Sequence, residues 1–262
     1  MKPDPSHSLA GQVAVVTGSA RGIGAGIAKK FGEHGARVLV HGLEREEGER
    51  VVAAIQALGS EAALLTGDLK EEAFCRALIR HALARFGRLD IQENNAAIYP
   101  RGNLETTSVA FRDEILAVNL RAPFILCQEA VQHMKERRSG CIINIGSVNA
   151  YVGLPKVFAY SVAKGGLMTL TTNLANYLTR YRIRVNLINP GWVLTEGEHH
   201  VQVVVEGRAE NWREEAVKTR PFGRMLLPED LAGAALFFAT HEMVTGAVLD
   251  YEQVVTGAPP EL

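Results

Sequence analysis

Between Ser147 and Lys164 the chain carries three side chains that together can move a proton: a hydroxyl at Ser147, a phenol at Tyr160 and an amine at Lys164. From Phe158 onward the sequence runs without proline and with apolar residues at helical spacing, so Tyr160 and Lys164, at i and i+4, are neighbours on one helix face. A phenol titrates near ~10 and is a poor acid or base at neutral pH, whereas a fixed cation within about 4–6 Å favours the phenolate. Tuning of that kind toward the working pH is what general acid–base catalysis requires. A tyrosine and a lysine at this spacing also fit an ordinary snorkelling surface pair. The elements around them must decide.

The run 141–146 is short and β-branched, and reads as a buried parallel strand that delivers Ser147 at its carboxyl end. In open α/β sheets that edge is where ligands bind. A second signal comes early in the chain. The strand 12–17 leads at once into Thr17-Gly18-Ser19-Ala20-Arg21-Gly22-Ile23-Gly24 and an amphipathic helix over 23–34. Glycines at such a turn let the backbone approach a pyrophosphate whose charge the helix amino terminus stabilises. Glycines also make ordinary turns, so the cluster counts mainly through its strand-turn-helix setting. Strands over 36–41, 61–66 and 182–188, one opening at Leu89 and a closing strand over 245–250 alternate with helices over 46–58, 71–86, 108–135 and from Pro228. Pro228 with Glu229 and Asp230 begins that last helix as a first-turn proline and acidic residues should.

These motifs, in order and over residues 10 to 255, resemble the short-chain dehydrogenase/reductase family. The resemblance implies a Rossmann-type, doubly wound, mostly parallel sheet of seven strands flanked by helices. It implies hydride transfer between a nicotinamide and a secondary alcohol or its ketone, with Asn119, Ser147, Tyr160 and Lys164 as the catalytic group. Tyr160 would be the general acid/base, Ser147 would hold the substrate oxygen, Lys164 would bind the ribose and lower the tyrosine pKa, and Asn119 would kink its helix and hold a water next to the lysine. The cofactor-binding residues implied are Gly18, Ser19, Arg21, Gly22, Ile23 and Gly24 at the glycine turn, and His41, Gly42 and Leu43 at the adenosine ribose. Asp68 and Leu69 follow beside the adenine, then Asn95, Ala96 and Ala97, and lastly Pro190, Gly191, Val193 and Thr195 at the Pro-Gly turn, with Tyr160 and Lys164 between. Asp68 reads equally well as an amino-terminal cap of the next helix.

The family's acidic selector for NAD falls on Gly42 and its basic selector for NADP on Leu43, so neither is present. Arg21, aided by His41 and Arg45, tips the expectation from NAD or NADP slightly toward NADP; Glu44 opposes it. Ala97 departs from the family's Asn-Asn-Ala-Gly, Tyr251-Glu252-Gln253 replaces its Asp-Gly-Gly, and Gln92 and Glu93 stand where a buried strand carries apolar residues. A buried Glu93 must find a donor or take up a proton.

Polar residues over 196–220 resemble a mobile substrate lid. Asn149, Trp192, Arg101 and Glu198 are candidates to face substrate, and their polarity favours a sugar or polyol; reduction of a 3-oxoacyl thioester is the alternative, and a non-catalytic cofactor-binding regulator or scaffold the alternative of another class. His199 and His200 fit a solvated lid, and no paired Cys/His spacing calls for a metal.

With 262 residues, 47% of them hydrophobic, the chain can bury one large core: an arm over 1–10 and one domain over 11–262. A net charge of −1 gives no reason to expect nucleic acid or an anionic membrane surface. Cys75, Cys127 and Cys141 are widely spaced in apolar surroundings and read as free thiols. With no apolar leader and no long apolar run, a cytoplasmic protein is expected. The family resemblance adds a homotetramer or homodimer, with the carboxyl-terminal tail packed on a neighbouring subunit.

Overall fold

Short β-branched runs alternating with amphipathic segments fold, in a computed structural model that describes residues 8–255, into a seven-stranded sheet of order β3-β2-β1-β4-β5-β6-β7. The first half comprises β1 Val13–Val16, α1 Gly22–Glu33, β2 Arg37–Gly42, α2 Arg45–Ala57, β3 Ala62–Thr66, α3 Glu72–Phe86 and β4 Ile91–Asn94. Then come α4 Val109–Leu116, α5 Ala122–Arg137, β5 Gly140–Ile145, α6 Asn149–Val152, α7 Phe158–Leu178 and β6 Ile183–Pro190. The chain closes with α8 Glu196–His200, α9 Trp212–Lys218, α10 Pro228–Thr240 and β7 Val248–Tyr251. All neighbouring strands are parallel. The chain runs outward from β1 to β3 and then returns to place β4 on the other side of β1. That reversal opens a crevice at the carboxyl ends of β1 and β4, where such sheets bind ligands.

Alternation along the strands sorts the core into two layers. Val16, Ile91, Ile143 and Ile145 pack with Ile27 and Phe31 of α1 and Leu231 and Phe238 of α10. Val13, Val15, Ile142 and Val185 face the other way, against Leu78 of α3, Leu126 of α5 and Leu178 of α7.

Several expected boundaries move for physical reasons. The helix expected over 108–135 is broken by a π-helical segment, Ala117–Arg121, between α4 and α5. Ser108 caps α4, its hydroxyl accepting from the Phe111 amide. The closing strand starts at Val248, because the Thr245 hydroxyl instead accepts from the Val185 amide at 3.1 Å. Of the arm expected over 1–10, residues 1–7 lie outside the described residues. Leu9 belongs to the core: it is fully buried, and its amide donates to the His34 carbonyl. The expected packing of the tail falls largely on residues 256–262, which are not described either. No helix of the described residues is long and apolar enough to cross a membrane.

Candidate active site

A cavity of about 870 Å³ follows the carboxyl edge of the sheet, from Leu43 and Asp68 at one end to Tyr160, Trp192 and Gln202 at the other. The glycine turn forms one wall. Gly18 sits at φ +62°, and a Cβ there would come within 2.8 Å of the Ala96 backbone, so close strand-to-turn packing requires glycine. Asn95 ties the wall together, its amide Nδ2 donating to the carbonyls of Thr17 at 2.9 Å and Gly18 at 3.1 Å. Arg21, Gly22 and Ile23 line the cavity, as do Asn95, Ala96 and Ala97.

Two residues expected at the cofactor do not line it. The Ser19 hydroxyl donates to the Val16 carbonyl at 2.6 Å and accepts from the His41 amide, while its own amide donates to the His41 carbonyl, so Ser19 is a fully buried clasp between β1 and β2. Gly24 faces inward, where a Cβ would strike the Gly18 carbonyl and the Asn95 side chain; it serves helix-to-turn packing.

At the expected ribose end, His41 does line the cavity, but not as a cation. Its Nδ1 accepts from the Gly18 amide and its Nε2 donates to the Gly67 carbonyl, which fixes a neutral ring, and burial lowers its pKa further. Gly42 has no room for the acidic selector, because a Cβ there would collide with the Ala20 methyl. Leu43 is 68% exposed. The Arg21 guanidinium is also exposed and lies 3.9 Å from Glu47. Asp68 and Leu69 line the cavity; Asp68 accepts from the Lys70 amide at 2.8 Å, a local turn, while Glu71 holds the cap position of α3.

At the other end β5 presents Ser147 and α7 presents Tyr160 and Lys164, and all three line the cavity. The Ser147 amide donates to Asn189 Oδ1 at 2.9 Å, and Asn189 Nδ2 donates in turn to Asp250. Asn189 thus positions Ser147, a link between β5, β6 and β7 that sequence spacing does not reveal. Lys164 is 2% exposed and donates to the Ile145 carbonyl at 2.6 Å, with Nζ 5.6 Å from the Tyr160 ring centre. Burial pulls its pKa down to about 8. The expectation that Lys164 lowers the tyrosine pKa is not met in this arrangement: burial pushes Tyr160 up to about 12, the Ser147 hydroxyl opposing, because the ammonium is turned to the Ile145 carbonyl. A protonated phenol beside a hydroxyl is set to donate.

Asn119 is fully buried within the π-helical segment, and its amide pairs with the Ile98 main chain in both directions, at 2.9 and 2.7 Å. It does not line the cavity with Ser147, Tyr160 and Lys164; it anchors the loop after β4. Glu93 is also fully buried, and neither carboxylate oxygen has a partner. It takes the second of the two courses open to it: burial raises its pKa well above the usual carboxylate range, keeping it protonated against the field of Lys164.

Asn149 and Trp192 line the cavity as well. The indole of Trp192 donates to Glu198 Oε1 at 2.7 Å and stacks on Trp212 at 5.8 Å. His199 accepts from Trp212 Nε1, so it braces the segment 196–220. Within that segment Glu206 gathers Arg101 and Lys156, each at 2.7 Å. The Tyr251-Glu252-Gln253 departure acquires a role: the Glu252 carboxylate occupies the space a Cβ of Gly191 would need and accepts from the Trp192 amide at 3.3 Å, fastening the Pro-Gly turn. Pro190, Gly191, Val193 and Thr195 line the cavity beside it. Gln202 and Glu206 escaped sequence reasoning, their only signal being polarity within an otherwise patterned chain, and Glu252 stood out only as a departure from the family pattern.

Residues 18–253 match the family model described as enoyl-(acyl carrier protein) reductase. The chain is 36% identical over 244 residues to an uncharacterized oxidoreductase of Thermotoga maritima, covering 92% of this chain and 96% of that one. It is 37% identical to the L-fucose dehydrogenase of Oryctolagus cuniculus, covering 88% and 80%. A solved 3-oxoacyl (acyl-carrier-protein) reductase of Agrobacterium tumefaciens, with NADP bound, superimposes with a TM-score of 0.87 at 31% identity, over 95% of this chain and 96% of that one. The chain belongs to the short-chain dehydrogenase/reductase family and is an NAD(P)-type oxidoreductase acting on CH–OH groups.

Proposed function

We propose that the protein interconverts a secondary alcohol and its ketone, with Tyr160 as general acid/base, and that the alcohol belongs to a sugar or polyol. The observation that carries this reading is the convergence of Ser147, Tyr160 and Lys164 on one end of a cavity whose other end is walled by the glycine turn. The cavity fits a dinucleotide: Gly18 and Gly22 hold positive φ where the backbone must lie close, and the amino terminus of α1 opens toward it. When bound, the nicotinamide supplies or accepts the hydride at its C4.

In reduction, Ser147 donates a hydrogen bond to the substrate carbonyl oxygen and Tyr160 delivers its proton to that oxygen as negative charge develops there. In oxidation, Tyr160 removes the hydroxyl proton, which requires its pKa to come down from about 12; turning the Lys164 ammonium from the Ile145 carbonyl toward the phenol does this. Gly191, Val193 and Thr195 position the amide end of the cofactor, and Arg21 at the ribose end supports NADP slightly over NAD. Asn119 holds the Ile98 loop that closes the cavity. Reduction of a 3-oxoacyl thioester is the second reading, supported by the similarity to the Agrobacterium reductase.

The outward faces of α4, α5 and α7 leave Val109, Phe124, Phe158 and Val162 exposed, which supports a homodimer or homotetramer.

Mixing the protein with NAD or NADP and a panel of sugars, polyols and secondary alcohols, and following reduced-nicotinamide absorbance, tests the assignment. Tyr160→Phe should lower kcat by at least about a thousandfold while cofactor binding persists. Residual turnover near the wild-type rate would remove Tyr160 from the mechanism.

A further inference from the structure

The lid brings one carboxylate to the reacting end of the cavity without a cation. Glu198 Oε1 accepts from Trp192 Nε1 and from Gln202 Nε2, both at 2.7 Å, so two donors hold the carboxylate in one orientation. No lysine or arginine among the described residues pairs with it. The cations at that end lie on other carboxylates: Arg101, Lys156 and Arg208 share Glu206, and Arg220 lies 3.5 Å from Glu252. Gln202 is 3% exposed and lines the cavity, yet its Oε1 has no hydrogen-bond partner. The amide cannot be turned over to repair this, because its NH₂ must face the Glu198 carboxylate, an acceptor-only group.

From this geometry we propose that Glu198 and Gln202 form an acceptor pair that selects a neutral substrate carrying hydroxyl groups next to the reacting carbinol. The inference rests on the reading of Tyr160 as acid/base and names the substrate of that same site. A carboxylate oxygen and a buried amide oxygen both call for donors. Hydroxyl groups supply them; an acyl chain does not, and leaves the Gln202 oxygen desolvated and unpaired. A sugar acid meets the uncompensated Glu198 charge, which repels it. The pair stands close enough to the chemistry for its charge to act on both Tyr160 and its ring neighbour Tyr99, whose centres lie 6.0 Å apart. Thr195, whose hydroxyl accepts from the Glu198 amide at 3.0 Å, ties the pair to the Pro-Gly turn and so to the cofactor side.

The test compares kcat/KM for cyclohexane-1,2-diol and cyclohexanol, and for a neutral aldose and the matching aldonic acid, in wild type, Gln202→Leu and Glu198→Gln. Wild type should prefer the diol by about 10- to 100-fold, mainly through KM, and reject the acid. Gln202→Leu should bring the diol-to-alcohol ratio toward one. Glu198→Gln, which keeps the shape and an acceptor oxygen, should raise activity on the aldonic acid about tenfold. A Tyr160-dependent enzyme with no diol preference, or one whose preference survives Gln202→Leu, overturns the inference and leaves the acid/base reading intact. So does a preference for an acid or a cationic amino alcohol. Absence of Tyr160-dependent turnover on every compound overturns both.

Discussion

The two ends of the cavity are built on opposite terms. At the reacting end Lys164, Ser147 and Glu93 are buried, each on or at the end of a strand or a long helix. At the ribose end Leu43 and Arg21 are exposed, the His41 imidazole is neutral, and the charged side chains, Arg21 with Glu47 and Lys70 with Asp68, pair at the solvent-exposed rim. Burial raises the stakes of every charge, because desolvation and Coulomb terms grow together as water is excluded. The reacting end should therefore respond steeply to single changes and the ribose end gently.

Lys164→Ala is the steepest change outside Tyr160. It removes the donor to the Ile145 carbonyl and the buried cation 5.6 Å from the Tyr160 ring centre, and should lower kcat/KM by at least about a hundredfold. A loss below fivefold would show that the reacting end does not depend on its buried ammonium.

Glu93→Val comes next and acts on stability. An orphaned buried carboxyl costs about 1–3 kcal/mol, and valine suits a position flanked in the sheet by Val16 and Ile143. Because the folded pKa of Glu93 lies above its unfolded value, the folded chain binds more protons than the unfolded chain between the two, so wild-type stability falls as pH rises through that window. The gain from Glu93→Val in denaturant titrations should therefore be larger at pH 8 than at pH 5. A destabilised variant would mean that the carboxyl holds the strand together.

The gentlest change lies at the other end. Leu43→Arg adds a cation at an exposed site and should shift the NADP-to-NAD ratio of kcat/KM upward by only about three- to tenfold, less at high salt. A shift of a thousandfold would show that the ribose end is as tightly built as the reacting end.

What the sequence disclosed follows the same division. Ser147, Tyr160 and Lys164 were legible because one strand and one helix carry them at fixed spacing. The sheet was legible because parallel strands buried on both faces leave unbroken apolar runs. Ser19 was misplaced because its motif position says nothing of where its hydroxyl turns, and the backbone of β1 captured it. The contacts of Gln202 and Glu252 were invisible because their neighbours, Glu198 and Gly191, meet them only through the folded segment 196–220 and the end of β7. The bond from Lys164 to the Ile145 carbonyl was not legible, because adjacency on a helix does not fix which acceptor a flexible amine chooses.

The contact between position 42 and Ala20 also bears on how such a chain can change its coenzyme. An aspartate at 42 is blocked while the alanine methyl fills its space, so the acid and a glycine at 20 form an epistatic pair. The substitution at 20 has to come first, and in the reverse order the path runs through a misfolded or crippled intermediate. A carboxylate at position 42 is therefore governed by packing at position 20 as much as by charge.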